Sequence, residues 1–209
     1  MRNAIRLIGL AALVVASVSC GDVSRQGSSP VYLVIDSLAG IRGAAQPSTP
    51  TATLVSDVIT NVTSPAPCTT DNPCPTIFGD SGVVTLRAPL KDIGATVSLA
   101  PTSNNEVTIS RVHIEFVRAD GRNTPGVDVP YAFDTAVTAT ITAGGTLTNL
   151  GFDLVRIVAK KESPLVQLRT STNHITAIAK VTFYGADRVG NAIEVTGQLT
   201  VDFANFGDF

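Results

Sequence analysis

Between Ile175 and Phe203 the chain alternates with a period of two, a pattern that an extended strand can hold on one face and a helix cannot. Ile175, Ala177, Ala179, Val181 and Phe183 fall on one side, Thr176, Lys180, Thr182 and Tyr184 on the other, and Ile178 is the one exception. After the polar turn Asp187-Arg188-Val189-Gly190-Asn191 the pattern resumes. Val195, Leu199, Val201 and Phe203 point inward and Thr196, Gln198, Thr200 and Asp202 outward, while Gly190-Asn191 supplies residues that tolerate positive φ. A lone hairpin is marginal in water, so the upstream chain must supply strands that cover the apolar face.

The upstream chain has the composition for it. There is no tryptophan, aromatics are few, valine, threonine and glycine are abundant, and helix formers such as Glu, Lys and Met are scarce. Tyr32–Leu38, apolar on both faces, suits an interior strand. A Gly/Ala/Pro/Thr-rich link follows from Gly40 to Thr51. Leu54–Val62 is ambiguous, since Leu54, Val55, Val58, Ile59 and Val62 have helical spacing in a run of β-branched residues; it is read as a strand, with helix as the alternative. Val83–Leu90 alternates cleanly, and Val107–Arg118 buries Val112, Ile114 and Phe116. In Tyr131–Ile141, residues Tyr131, Phe133, Val137 and Ile141 share a face. Phe152–Val158 reads as a strand, and Ser163–Arg169 as a short helix with Pro164 at its start. The expectation is an all-β sandwich of eight or nine strands with one short helix, forming one domain over residues 31–209.

Residues 1–19 have the order of a secretory signal peptide: Arg2 and Arg6, then the apolar run Leu7–Val18 broken only by Gly9 and Ser17. The run is shorter than the ~20 residues of a permanent membrane span. The segment Ser17-Val18-Ser19-Cys20 resembles the lipobox of bacterial lipoproteins, with serine at 17 where that family usually has leucine. The resemblance implies that Cys20 is acylated and becomes the new N-terminus, so that the domain hangs from the membrane by its lipid. The Gly/Ser-rich stretch from Gly21 to Pro30 then serves as a tether, residues 20–30 forming the lipidated cysteine and its linker. The implied location is the bacterial outer membrane, periplasmic or surface-exposed.

With Cys20 taken by lipid, Cys68 and Cys74 remain as a pair in a proline-rich excursion. A disulfide suits an oxidising compartment, and no second Cys/His pair at zinc spacing completes a metal site. Without Arg2 and Arg6 the chain carries 13 basic against 17 acidic residues. That mild acidity disfavours nucleic acid and leaves envelope proteins or glycans as the expected partners.

Val181-Thr182-Phe183-Tyr184-Gly185-Ala186-Asp187-Arg188-Val189-Gly190-Asn191 resembles the penultimate strand and last hairpin of bacterial immunoglobulin-like domains, which often carry Asp-x-x-Gly-Asn. The resemblance implies an immunoglobulin-like β-sandwich. It implies no particular activity, because such domains serve mainly as spacers, adhesive modules and interaction surfaces. The core cysteines and tryptophan of antibody-type domains are absent.

Three patterns invite a chemical reading. Gly79-Asp80-Ser81-Gly82 resembles the serine motif of chymotrypsin-like proteases, but that family has its histidine and aspartate upstream, whereas His113 and His174 both follow. The plainer reading is a turn entering a strand, with His113 in a cross-strand polar pair. Asp120, Asn123, Asp128 and Asp134 offer oxygen atoms to calcium, although their spacing is not that of an EF-hand loop. The same loop, Ala119 to Pro130, mixes prolines with polar tips and is either a plain solvated connection or, in the alternative to a structural or protein-interaction module, the surface of a carbohydrate- or calcium-dependent binding module. The chain is thus read as non-enzymatic, with no catalytic residues, no assigned metal site and calcium as the one cofactor to test. The terminal Phe203-Ala-Asn-Phe-Gly-Asp-Phe209 is read as aromatic packing at the base of the sandwich rather than the end of a membrane barrel.

Overall fold

The structure, a computed structural model, describes residues 29–44, 49–91 and 101–207; the signal segment 1–19, Cys20 and the tether up to residue 28 lie outside the described residues. Among the described residues there are ten strands: β1 Val34–Ile41, β2 Thr53–Asp57, β3 Thr60–Val62, β4 Cys74–Thr76, β5 Asp80–Arg87, β6 Val107–Val117, β7 Phe133–Ile141, β8 Thr148–Val155, β9 Ile175–Asp187 and β10 Ala192–Ala204. One α-helix, α1 Ile157–Lys161, and a 3-10 turn over Leu165–Thr170 connect β8 to β9.

The strands form two facing sheets, one ordered β1-β5-β8 and the other β2-β10-β9-β6-β7, with β3 and β4 as a small separate ribbon. Every pairing in the two sheets is antiparallel except that of β2 with β10. The chain therefore starts in the smaller sheet, crosses to run parallel to the last strand, and returns. This is the connectivity of an immunoglobulin-type sandwich, with β1, β5 and β8 as strands A, B and E facing C, C′, F and G. The connection from β7 to β8 contains no strand D. Shared connectivity describes architecture and does not establish kinship.

The hairpin has the expected register: Ile175, Ala177, Ala179, Val181, Phe183, Leu199, Val201 and Phe203 are buried, with Val195 facing Phe183 across the pair. Asp187 explains the turn. Its Oδ1 accepts the backbone N–H groups of Val189 (3.1 Å) and Asn191 (2.8 Å), and its Oδ2 accepts the Asn191 side-chain amide at 2.8 Å. Gly190 takes φ +93°, which a Cβ would strain. The facing sheets meet in one contiguous apolar core, where Phe152 of β8 packs edge-to-face on Phe183 of β9, ring centroids 5.4 Å apart. In β6, a bulge between Ile109 and Arg111 keeps both Ile109 and Val112 in the core, three positions apart, where strict alternation would expel one.

Several expectations are corrected. Tyr32–Leu38 is not an interior strand: β1 starts at Val34 and lies at a sheet edge, half-buried because only β5 flanks it. Leu54–Val62 is extended as expected but breaks at Val58 and Ile59, so that β2 joins the large sheet and β3 the ribbon. Tyr131 lies outside β7 and is exposed. Ile157 and Val158 leave the β8 strand for α1 and face solvent. Asp80, Ser81 and Gly82 belong to β5 rather than to a turn before it. The two sheets hold eight strands, as expected, and the β3–β4 ribbon adds two outside them. Ser163–Arg169 is helical in kind, but as the 3-10 turn that begins after Pro164.

Candidate functional site

The Cys68–Cys74 disulfide is formed, with an S–S distance of 2.05 Å. It joins the loop between β3 and β4 to Cys74, the first residue of β4, and so closes the excursion between β2 and β5 on itself.

The Ala119–Pro130 loop is ordered by its own acidic residues. Asp120 accepts from Arg118 Nη2 at 2.6 Å and from Arg122 Nη2 at 2.9 Å. The Arg118 guanidinium first, and Arg122 second, hold its carboxyl well below the usual carboxylate range. Asn123 Oδ1 accepts the Arg118 backbone N–H at 2.6 Å, and Asp128 Oδ2 accepts that of Thr124 at 3.2 Å. Asp134 lies beyond the loop, on β7, directly opposite His113, where it accepts from Arg111 Nη1 at 3.1 Å and meets His113 Nδ1 at 3.2 Å. The members of the calcium set are thus already engaged: Asp120 and Asn123 by Arg118, Asp128 by Thr124, and Asp134 by Arg111 and His113. Among the described residues no group of three His, Cys, Asp or Glu side chains gathers around one point.

The loop does, however, form one wall of a cleft. Arg118, Arg122, Val127 and Asp128 face Gln167 of the 3-10 turn and Thr172, Asn173 and His174 of the approach to β9, around a volume of about 430 Å³. The β6–β7 and β8–β9 connections meet at this end because β6 and β9 are neighbours in antiparallel register, Val117 opposite Ile178. Adjacency of the loop to His174 was not legible in the sequence, where 46 positions separate His174 from Asp128.

The proteolytic reading of Gly79-Asp80-Ser81-Gly82 fails on geometry. Ser81 lines two shallow surface depressions, neither of which contains a histidine. His113 is the cross-strand partner of Asp134, and His174 lines the loop cleft.

The aspartate of that motif has another role. Asp80 is buried, its Oδ1 accepting the Gly43 backbone N–H at 2.9 Å and its Oδ2 the Ser56 hydroxyl at 2.6 Å. Lys160 Nζ of α1 lies 2.7 Å from the same Oδ2 and also donates to the Asp57 carbonyl oxygen at 2.8 Å. Asp57 in turn pairs with Arg42 Nη2 at 2.9 Å and accepts the Thr60 hydroxyl and the Phe206 backbone N–H. Gly43 is required for the close approach, since a Cβ there would stand 1.9 Å from the Gly79 carbonyl oxygen. Burial pushes the Lys160 amine below the ordinary lysine range even though Asp80 and Asp57 favour its charged form. Lys160 is 1% exposed and Ser56 fully buried, so the Asp80–Lys160 contact lies inside the protein, with Arg42 at its partly exposed rim. Only a weak sequence signal pointed to it: Ser56 and Asp57 interrupt the apolar run Leu54–Ile59, and Lys160 directly follows Ile157–Ala159.

No protein-family model matches the chain, and no curated protein or solved structure shows significant similarity to it.

Proposed function

We propose that this chain is an exported, non-enzymatic interaction module of the bacterial cell envelope, anchored by lipid at Cys20, that engages its partner at the end of the sandwich capped by the Ala119–Pro130 loop. The observation that carries the reading is the cleft between that loop and the Gln167–His174 segment. There, side chains from two separate connections converge on a rigid scaffold, the usual placement of recognition surfaces. Arg122 is free to contribute because its side chain is 65% exposed even while it holds Asp120. The disulfide supports an oxidising compartment. The partner is an envelope protein, read by Arg122 and His174 from outside the sheets.

The test is capture from native envelope with the full chain and with an Arg122→Ala/His174→Ala double variant. Loss of the captured partner in the variant supports the reading, and undiminished capture overturns it. A Cys20→Ser chain should leave the membrane fraction, and its retention there would remove the anchor.

A glycan is the second reading, favoured by the guanidinium, amide, hydroxyl and imidazole groups in the cleft. Protection of the wild type against heat by a bound oligosaccharide, absent in the double variant, would select it over the protein partner.

A further inference from the structure

The sealed cluster beneath α1 holds the ingredients of a covalent reaction between its own side chains. An amine and a carboxyl group stand 2.7 Å apart, Lys160 Nζ to Asp80 Oδ2, both about 1% exposed. The carboxyl oxygens are already addressed: the Ser56 hydroxyl binds Oδ2 and the Gly43 N–H binds Oδ1. We propose that Lys160 and Asp80 condense within the folded protein into an amide cross-link that joins α1 to β5.

The step balances without any further reagent. A proton passes from the Lys160 ammonium to Asp80 Oδ2 along the existing contact, leaving a neutral amine and a neutral acid. The lone pair of Nζ attacks Cγ, and negative charge develops on Oδ1, where the Gly43 N–H already points. The Cγ–Oδ2 bond then breaks. Oδ2 leaves as water with the proton it received and a second one from the attacking nitrogen, relayed by the Ser56 hydroxyl. The product is one N–Cγ bond and one water, with no change of oxidation state.

Three physical terms favour it. Burial disfavours the charged form of Lys160, so the free amine that attacks costs less here than it would in water. The fold holds the reacting groups in place, and well-oriented intramolecular reactions reach effective concentrations of about 10⁵–10⁸ M. Condensation also removes one positive and one negative charge together. The remaining Arg42–Asp57 pair stays balanced, and no orphan charge is left in the interior.

The experiment is a peptide map of the full chain, purified folded, then denatured, reduced and digested with trypsin. The expected result is a branched peptide joining the segments that contain Asp80 and Lys160, one water lighter than their sum, with no cleavage after Lys160. Lys160→Arg should lack it. Recovery of Asp80 and Lys160 only in separate, unmodified peptides from the wild type overturns the proposal, and that readout does not depend on any variant folding. A Ser56→Ala chain should form the cross-link about 10²-fold more slowly or worse. Formation at the wild-type rate would overturn the relay assigned to Ser56.

Discussion

Asp187 and Asp80 are both buried aspartates, and the chain satisfies them in opposite ways. Asp187 is held mainly inside the β9–β10 turn by Val189 and Asn191, within four residues of itself, with one further hydrogen bond from Ser29. Asp80 is held by Gly43, Ser56 and Lys160, groups from three other segments and up to 80 positions away. Most of the first arrangement forms as soon as the turn forms. The second exists only when β1, β2, β5 and α1 have all been brought together, so it reports on the whole assembly and locks the sandwich at one end.

The largest test of that contrast is Lys160→Met, which leaves the Asp80 carboxyl buried without its partner, whether that partner holds it by charge or through the amide, and should cost about 3–5 kcal/mol in chemical denaturation. An Asp80→Leu/Lys160→Met double variant should cost less than the two singles added together, because the two side chains act as one unit. Simple additivity would mean that the cluster does not act as a unit.

The hairpin offers the matching apolar test. Phe183→Ala empties a fully buried position against Phe152 and should cost about 3–5 kcal/mol, whereas Thr182→Ala, on the opposite face, should stay within about 0.5 kcal/mol. Equal effects would contradict the register in which Val195 faces Phe183 and Thr196 faces Thr182.

Asp187→Asn should cost less, about 1–3 kcal/mol, and the loss should depend on pH. Burial raises the Asp187 carboxyl, but the hydrogen bonds from Asn191, Ser29 and Val189 outweigh it, so the folded value lies below the ordinary one. Its contribution is therefore complete above the ordinary carboxylate pKa of about 4 and fades as pH falls from there through the folded value. Wild type and variant should converge in stability on acidification. A gap that stays constant would show that the turn does not rely on the ionised carboxylate.

The smallest effect belongs to the disulfide. Its cysteines are only six positions apart, so reduction should cost about 2 kcal/mol or less and leave the two sheets intact. Loss of the sandwich signal on reduction would give the β3–β4 ribbon a structural weight that its position outside both sheets does not suggest.

What could be read in advance follows the range of the interactions. The all-β class, the β9–β10 hairpin and its Asp187-Gly190-Asn191 turn were legible because alternation and turn chemistry act between residues that are neighbours in sequence. The inward faces of β5 and β6 were legible for the same reason, as was the Cys68–Cys74 pairing, which spans one short excursion. Strand ends and edges were less so. Tyr32–Leu38 is apolar enough for an interior strand, yet whether a strand has one neighbour or two is settled by partners elsewhere in the chain.

The site residues divide along the same line. The Ala119–Pro130 loop announced itself by its prolines and polar tips, but its aspartates turned out to brace the loop itself, and its companion across the cleft, His174, arrives by way of the β6–β9 pairing. Asp80 looked like part of a surface serine motif, while Lys160 was not singled out at all. Sequence by itself determined that this chain builds strands and where its best hairpin turns. Only the tertiary structure decided which charges went inside, because a buried charge is tolerable only where the fold delivers a partner from a distance, and no local pattern encodes that delivery.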